Sequence, residues 1–329
     1  MRYENISILQ TASSIPKKVV TNDDLAKMMD TSDEWISKRT GIKQRHVVTE
    51  QSTSDLCVDV SQKLLRQANL PAKRIDLIIV ATMSPDYLTP SVSAMVQGKI
   101  GADNAAAFDI NSACSGFAYG LKIAKQMLTA DKSKYALLIG GETLSKLVNW
   151  QDRSTAVLFG DGAAGVLLTN AYSNSAGILA DDLQTKGRLG HYLTAGYLAN
   201  KSPFYQAAPT DSANKYFLMN GRQVYKFATE NVPGSIRTAL RKADLQTSDV
   251  DYFVLHQANS RIVERIARDL GVSIAKFPIN IQEYGNTAAA SEPILLDELV
   301  KKKIIRRGNI IVLSGFGGGL TIGTVVLKF

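Results

Sequence analysis

The stretch Leu70-Pro-Ala-Lys-Arg-Ile-Asp-Leu-Ile-Ile-Val80 has a counterpart in Leu245-Gln-Thr-Ser-Asp-Val-Asp-Tyr-Phe-Val-Leu255, 175 residues on. In each copy a helix ends, a short polar link follows, and an apolar strand begins. The helical stretch before the link is repeated too, as Leu64, Leu65 and Ala68 in one copy and Ala239, Leu240 and Ala243 in the other. Three more pairs follow in the same order. Ala107-Phe-Asp-Ile-Asn111 resembles Lys276-Phe-Pro-Ile-Asn280, which pairs Asn111 with Asn280. Tyr135–Gly141 resembles Asn309–Gly315, and Ala164–Leu168 resembles Gly323–Leu327. Four ordered matches at nearly one offset mark an internal duplication.

The repeated unit alternates strand and helix. Continuous apolar runs of four to six residues suit strands buried on both faces, and among these we place Ala106–Ile110. Residues 53–68 read as a helix capped by Ser52 and Asp55. Residues 114–129 put Phe117, Leu121, Ala124 and Leu128 on one stripe, and residues 259–270 do so with Ile262, Ile266 and Leu270. Gly160-Asp-Gly162 and Gly317-Gly-Gly319 precede the last strand of each half and suggest hairpins. The expectation is an α/β protein with two related mixed sheets. The halves are 1–172 and 173–329, joined through the small, polar segment 169–178. Residues 181–218 show no periodicity and read either as a pocket-shaping insertion or as a surface excursion.

With 329 residues, 45% of them hydrophobic and 21% charged, the chain can bury a large core without staples. Two cysteines, Cys57 and Cys114, exclude a disulfide scaffold and a cysteine-only metal site and suit a reducing compartment such as the cytoplasm. No secretory leader and no apolar run of membrane-spanning length is visible, so no membrane role is expected. A net charge of +8 favours acidic partners, including phosphorylated cofactors and acidic carrier proteins. No zinc finger or basic tail points to nucleic acid.

Cys114 stands where a strand feeds a helix, beside the small residues Asn111-Ser-Ala113 and Gly116. Unpaired N–H groups at a helix start favour a thiolate. Pattern alone leaves Cys114 balanced between a nucleophile and a small buried hydrophobe, whereas Cys57, between Leu56 and Val58 in mid-helix, reads as structural. His256 ends the repeated strand and leads into another helix, a place for hydrogen bonding or proton exchange, although a buried structural histidine fits as well. Asn286, in Glu283-Tyr-Gly-Asn-Thr287, is either a turn residue or a site donor. Because Asn280 pairs with Asn111, the duplication sets Cys114 and Asn286 at roughly related positions. A thiolate that attacks an acyl group, with neutral donors to hold an oxyanion, is a chemically useful set. Gly315-Phe-Gly-Gly-Gly319 lacks the Lys-Ser/Thr of a phosphate loop; it reads either as a tight turn or as backbone that approaches a substrate oxygen.

These motifs, Asp109-Ile-Asn-Ser-Ala-Cys-Ser-Gly-Phe117, His256-Gln-Ala-Asn259, Tyr284-Gly-Asn-Thr287 and Gly315-Phe-Gly-Gly-Gly319, resemble those of the β-ketoacyl-acyl carrier protein synthase III family. Thr31–Ile42 and Leu158-Phe-Gly-Asp-Gly162 extend the resemblance over essentially the whole chain. The resemblance implies a duplicated thiolase-like fold, five-layered α-β-α-β-α with two mixed sheets. It implies acyl transfer from acetyl-CoA or another short acyl-CoA to Cys114, then decarboxylative condensation with malonyl-acyl carrier protein. His256 and Asn286 would bind the malonyl thioester oxygen, Cys114 and Gly318 would supply oxyanion N–H groups, and Phe316 would lie beside the thioester.

By the same resemblance Trp35 and Arg153 sandwich the adenine of coenzyme A, Arg39 and Thr40 lie near the nucleotide, and Asn259 lines the pantetheine channel. Lys226 and Arg261 match basic residues that dock the carrier protein. Thr89, Leu144 and Phe159 match acyl-pocket positions; many members carry an aromatic ring at Thr89 that crosses the dimer interface, with Tyr87 or Leu88 as alternative fillers here. No tightly bound cofactor and no metal are expected, and the family is typically a homodimer. The rivals are another thiolase-like acyltransferase and a non-catalytic acyl-CoA or carrier-protein binder. The segment Ala81–Ser91 offers no catalytic glutamate of the hydroxymethylglutaryl-CoA synthase kind, and both cysteines lie too early for a biosynthetic thiolase.

Overall fold

A computed structural model describes residues 6–130, 134–170, 176–198, 203–204 and 215–329. Its two main sheets repeat one topology. The first runs in the order Ser7–Ser14, Asp161–Thr169, Tyr135–Thr143, Leu77–Ala81, Ala106–Ile110. The second runs Gly177–Thr185, Thr321–Lys328, Ile310–Gly317, Tyr252–Leu255. In both, the outer two ladders from the Ser7 or Gly177 end are antiparallel and the next is parallel. The join placed between residues 172 and 173 lies outside the described residues.

Helices fill the space between and outside the sheets. Gly116–Ala130 and Ser291–Lys301 lie between them, where Phe117, Leu121, Leu128, Leu295 and Leu299 share one apolar core with Ile79, Leu138, Leu313 and Val325 from the strands. Thr53–Ala68 and Val92–Ile100 cover the outer face of the first sheet, and Gly221–Lys242 and Ser260–Leu270 that of the second. The result is five layers, α-β-α-β-α. Local chemistry sets the helix ends. Ser52 and Asp55 form the expected reciprocal cap, and Val92–Ile100 and Ser260–Leu270 each stop at a left-handed glycine, Gly101 and Gly271.

Three expectations need correction. Ala106–Ile110 is not a buried strand. It is the edge of the first sheet, exposed at Ala106 and half-buried beyond, because only Leu77–Ala81 flanks it. Its repeat mate forms no strand: a single turn, Ile274–Lys276, is followed by irregular chain through Asn280. Pro278 has no N–H to give a ladder there. The short helix Ile281–Tyr284 then intervenes, so the turn at Ala288–Ala290 answers the one at Ala113–Ser115, again 175 residues on. Ala113 and Ala288 share a positive φ, 43° and 42°. The counterpart of Asn111 in this turn is therefore Asn286, and that of Cys114 is Ala289. Finally, part of 181–218 is regular, since Gly177–Thr185 is a full strand of the second sheet; residues 199–202 and 205–214 lie outside the described residues.

Candidate active site

The strand-to-helix junctions of both halves converge on one cavity of about 990 Å³. Cys114, His256, Asn286, Phe316 and Gly318 all line it, as do Trp35, Arg39, Thr40, Asn259 and Phe159. Cavities of this kind, mostly apolar with a few convergent polar groups, are where ligands bind. Cys114 is 6% exposed, in the single turn that precedes Gly116–Ala130. The N–H groups of Gly318 and of Cys114 itself are directed at its sulfur. These contacts and the helix start favour the anion, but burial outweighs them. The thiol is pushed up to about 12, with Glu142 and Glu292 adding to the rise. The N–H groups at the helix start, expected to favour a thiolate, are thus outweighed by burial, which favours the thiol form of Cys114.

Room for the sulfur comes from Gly317. A Cβ there would stand 2.8 Å from Cys114 Sγ and 2.9 Å from its Cβ. Gly317→Ala is expected to push the sulfur off line and cut acylation of Cys114 about a hundredfold, with the thermal midpoint little changed. Single-turnover labelling by acetyl-CoA checks this; wild-type labelling rates in the variant would show that Gly317 does not set the sulfur's position.

His256 is 1% exposed at the end of Tyr252–Leu255, with its backbone N–H bonded to Ser314 O at 2.9 Å. Its ring stands edge-on to Phe316, 5.3 Å between centroids. Desolvation lowers its pKa to about 3, so the imidazole is neutral and offers one N–H and one acceptor. Asn286 is tied by main chain to the first half: its N–H donates to Leu158 O at 2.9 Å and its carbonyl accepts from Gly160 N–H at 3.0 Å. Its side-chain Oδ1 accepts from Ala288 N–H at 2.9 Å, which leaves the amide NH₂ as the group to offer a ligand. Cys57 is wholly buried in mid-helix and its thiol is raised well above the ordinary range by burial.

The remaining expected residues divide. Arg39 and Arg153 stand over Trp35, 4.4 and 5.4 Å from its ring centroid. At that separation a flat base enters between Trp35 and Arg153 only if the pair parts. Asn259 lines the cavity, yet both ends of its amide are engaged: Oδ1 caps Ser260–Leu270 through Arg261 N–H, and Nδ2 donates to Arg39 O at 3.0 Å. Arg261 is exposed and donates to Lys38 O at 2.5 Å. Lys226 is exposed on Gly221–Lys242, with Glu230 at 4.0 Å. Phe159 lines the cavity and stacks on Phe217 at 4.0 Å, whereas Leu144 lies behind it in the same apolar cluster as Cys114. Thr89 is exposed and lies outside this chain's cavity, as do Tyr87, 59% exposed, and Leu88, 79% exposed. Neither of these two fills the pocket from within the chain.

Five residues escaped sequence reasoning. Phe217, with Leu193 and Thr194, brings the irregular segment into the cavity wall. Glu142, fully buried, accepts from Thr82 Oγ1 and Met83 N–H, both at 3.2 Å, and from Ser84 Oγ and the backbone of Ala289. Burial raises it to about 7. Glu292 is fully buried in the first turn of the helix Ser291–Lys301. Neither Gly141-Glu142-Thr143 nor Ser291-Glu292-Pro293 carries a local signal that sets its acid apart from a surface charge. Among the described residues no cluster of three or more His, Cys, Asp or Glu could hold a metal ion, and no described helix is long and apolar enough to cross a membrane.

Residues 108–187 match the family described as 3-oxoacyl-[acyl-carrier-protein] synthase III, and residues 240–329 match its C-terminal part. The chain is 64% identical to the β-ketoacyl-[acyl-carrier-protein] synthase III of Lactobacillus helveticus and 58% identical to that of Levilactobacillus brevis, in each case over 100% of both chains. Among solved structures, the 3-oxoacyl-[acyl-carrier-protein] synthase III of Aquifex aeolicus superposes with a TM-score of 0.91 at 40% identity, covering 98% of this chain and 100% of the other. That of Pseudomonas aeruginosa gives 0.91 at 36% identity, covering 99% and 98%.

Proposed function

The chain belongs to the 3-oxoacyl-[acyl-carrier-protein] synthase III family, and from that membership we propose how its own residues perform the condensation. The activity is that of an acyltransferase and condensing enzyme of thiolase-like fold, which initiates fatty acid synthesis from an acyl-CoA and malonyl-acyl carrier protein. The carrying observation is that Cys114, His256, Asn286 and Gly318 share one cavity while the N–H groups of Cys114 and Gly318 already point at the sulfur.

In the first step Cys114 attacks the acyl carbonyl. The C–S bond to coenzyme A breaks, and the thiol proton leaves with coenzyme A as its thiol. The N–H groups of Cys114 and Gly318 hold the tetrahedral oxyanion. In the second step the malonyl C–C bond breaks and carbon dioxide departs. His256, neutral because desolvation opposes its charge, and the Asn286 amide donate to the enolate oxygen. The carbanion attacks the acyl-cysteine, 3-oxoacyl-carrier protein leaves, and the released thiolate takes up one proton. Phe316 packs against the His256 ring and keeps water from the reacting atoms.

The coenzyme A thioester enters as substrate. Trp35, Arg39, Thr40, Arg153 and Asn259 form its nucleotide and pantetheine path, supported by the two guanidinium groups over Trp35. Exposed Lys226 and Arg261 suit an acidic carrier protein. We read the chain as two repeated halves, 1–172 and 173–329, and the enzyme as a homodimer. The open edge strand Ala106–Ile110 favours pairing with a second copy, and exposed Thr89 then reaches the partner's acyl pocket beside Leu144 and Phe159. Two unpaired thiols fit the cytoplasm.

A primer panel tests this reading, with malonyl-carrier protein compared against malonyl-CoA. Acetyl-CoA and four-carbon or short branched primers are expected to yield 3-oxoacyl-carrier protein. Thr89→Phe is expected to lower butyryl use more than acetyl use, because an overfilled pocket costs roughly 1–3 kcal/mol. Arg261→Glu should weaken the carrier-dependent step more than acylation. Equal use of malonyl-CoA and malonyl-carrier protein, or equal losses on all primers, would remove the docking and pocket assignments in turn.

A further inference from the structure

Glu292 is fully buried at the start of Ser291–Lys301, and its side-chain oxygens have no hydrogen-bond partner from any other residue, only the residue's own backbone N–H nearby. A buried carboxyl without a partner is costly, and in a native chain it calls for an explanation. Its position supplies one. A Cβ at Gly315 would stand 2.6 Å from Glu292 Oε1 and 2.7 Å from the Cys114 carbonyl oxygen, so the carboxyl and the nucleophile's main chain front the same small space. Gly317, two residues along the same strand, faces the Cys114 sulfur in the same way. Only glycine at 315 leaves room for the acid.

We propose that Glu292 is a further ionisable positioning residue of the reaction centre, acting through Cys114: it keeps its proton while the thiol is to ionise, and once it is itself ionised it holds Cys114 in the thiol form. This deepens the proposed function and rests on Cys114 as nucleophile. Two anions in one dry space repel strongly, so the two groups titrate as a coupled pair. Burial moves Glu292 well above the usual carboxylate range, which favours its protonated form. The other groups around it are accounted for. Glu142, at the end of Tyr135–Thr143, is bound by Thr82, Met83 and Ser84. His256, at the end of Tyr252–Leu255, is neutral. Asp297, on the same helix, is turned to Thr11, Ser13 and Lys301. Asp161, at the start of Asp161–Thr169, is held by Ser145 and Val48. Among the described residues no lysine or arginine pairs with Glu292.

The experiment measures the alkylation rate of Cys114 by iodoacetamide from pH 6 to 10 in the whole enzyme, Glu292→Gln and Glu292→Val, with the labelled site read by peptide mass. At pH 6 all three should react alike. At pH 10 both variants should react about tenfold faster than wild type, the change expected for one pKa unit. The sign follows from charge: wild type gains a carboxylate that opposes the thiolate, and neither variant can. A thermal melt verifies that each variant is folded, and Glu292→Gln, equal in volume, carries the comparison where valine does not fold. A variant-to-wild-type ratio that stays constant with pH, or a gain in valine alone, would overturn the proposal, since a packing role moves all pH values together. Failure of the underlying reading looks different: Cys114→Ala would still accept acetyl from acetyl-CoA.

Discussion

Cys114→Ala is expected to take up no acetyl group from acetyl-CoA, and Cys57→Ala to take up one per chain. The difference follows from the two surroundings. Cys114 lies in the cavity with two N–H groups on its sulfur. Cys57 is enclosed among Leu56, Val60, Ile139 and Ala163 with no path to solvent. Both thiols are raised by burial, so neither is distinguished by its resting charge; access and N–H donors make the difference. Intact-mass measurement after brief incubation, followed by peptide mapping, provides the check. An acetyl group on Cys57, or undiminished uptake by Cys114→Ala, would remove the assignment.

His256→Ala and Asn286→Ala are each expected to slow malonyl decarboxylation by about 10²–10³, the usual effect of losing one oxyanion donor, while acetyl transfer to Cys114 falls far less. Desolvation lowers the pKa of His256 to about 3, which makes it a weak base, and the Asn286 amide is not a base, so neither is suited to take the thiol proton in the resting site. Their contribution lies where negative charge develops on the malonyl oxygen. Asn286→Ala also removes the acceptor for Ala288 N–H at 2.9 Å, and Asn286→Asp restores that acceptor without the donor. If the aspartate variant is as impaired in decarboxylation as the alanine variant, donation is the function that matters. Equal losses in acylation and decarboxylation would contradict the division of labour.

Three of the repeated strand pairs were readable in the sequence because each is a continuous apolar run buried along nearly its whole length: Leu77–Ala81 with Tyr252–Leu255, Tyr135–Thr143 with Ile310–Gly317, and Asp161–Thr169 with Thr321–Lys328. Leu77–Ala81 and Tyr252–Leu255 kept that signature through the duplication. The helices were readable for a similar reason, since stripe and cap agree at Thr53–Ala68. Where the repeat failed, a single local change had intervened. Pro278 abolished one strand, and the inserted helix Ile281–Tyr284 shifted the register by several residues, so Asn280 looked like the mate of Asn111 when Asn286 is. The convergence of Cys114, His256 and Asn286 could be suspected from the symmetry of the halves. Their burial could not, because no local pattern reports how two sheets close over a turn. Burial is also what leaves Cys114 a thiol. Glu142 and Glu292 stayed hidden for the same reason: a lone acid in sequence looks like a surface charge.

The two helices of the middle layer, Gly116–Ala130 and Ser291–Lys301, each pack against both sheets. Neither sheet can therefore be peeled away without stripping apolar surface from a helix that belongs to the other repeat. Local opening that reaches the Cys114 turn must breach this layer, so its free energy should approach that of global unfolding. The turn that carries Cys114 is thus held in place by the cooperativity of the whole chain, while its sulfur stays reachable through the cavity. The first half's reactive turn is enclosed by an interior to which both repeats contribute.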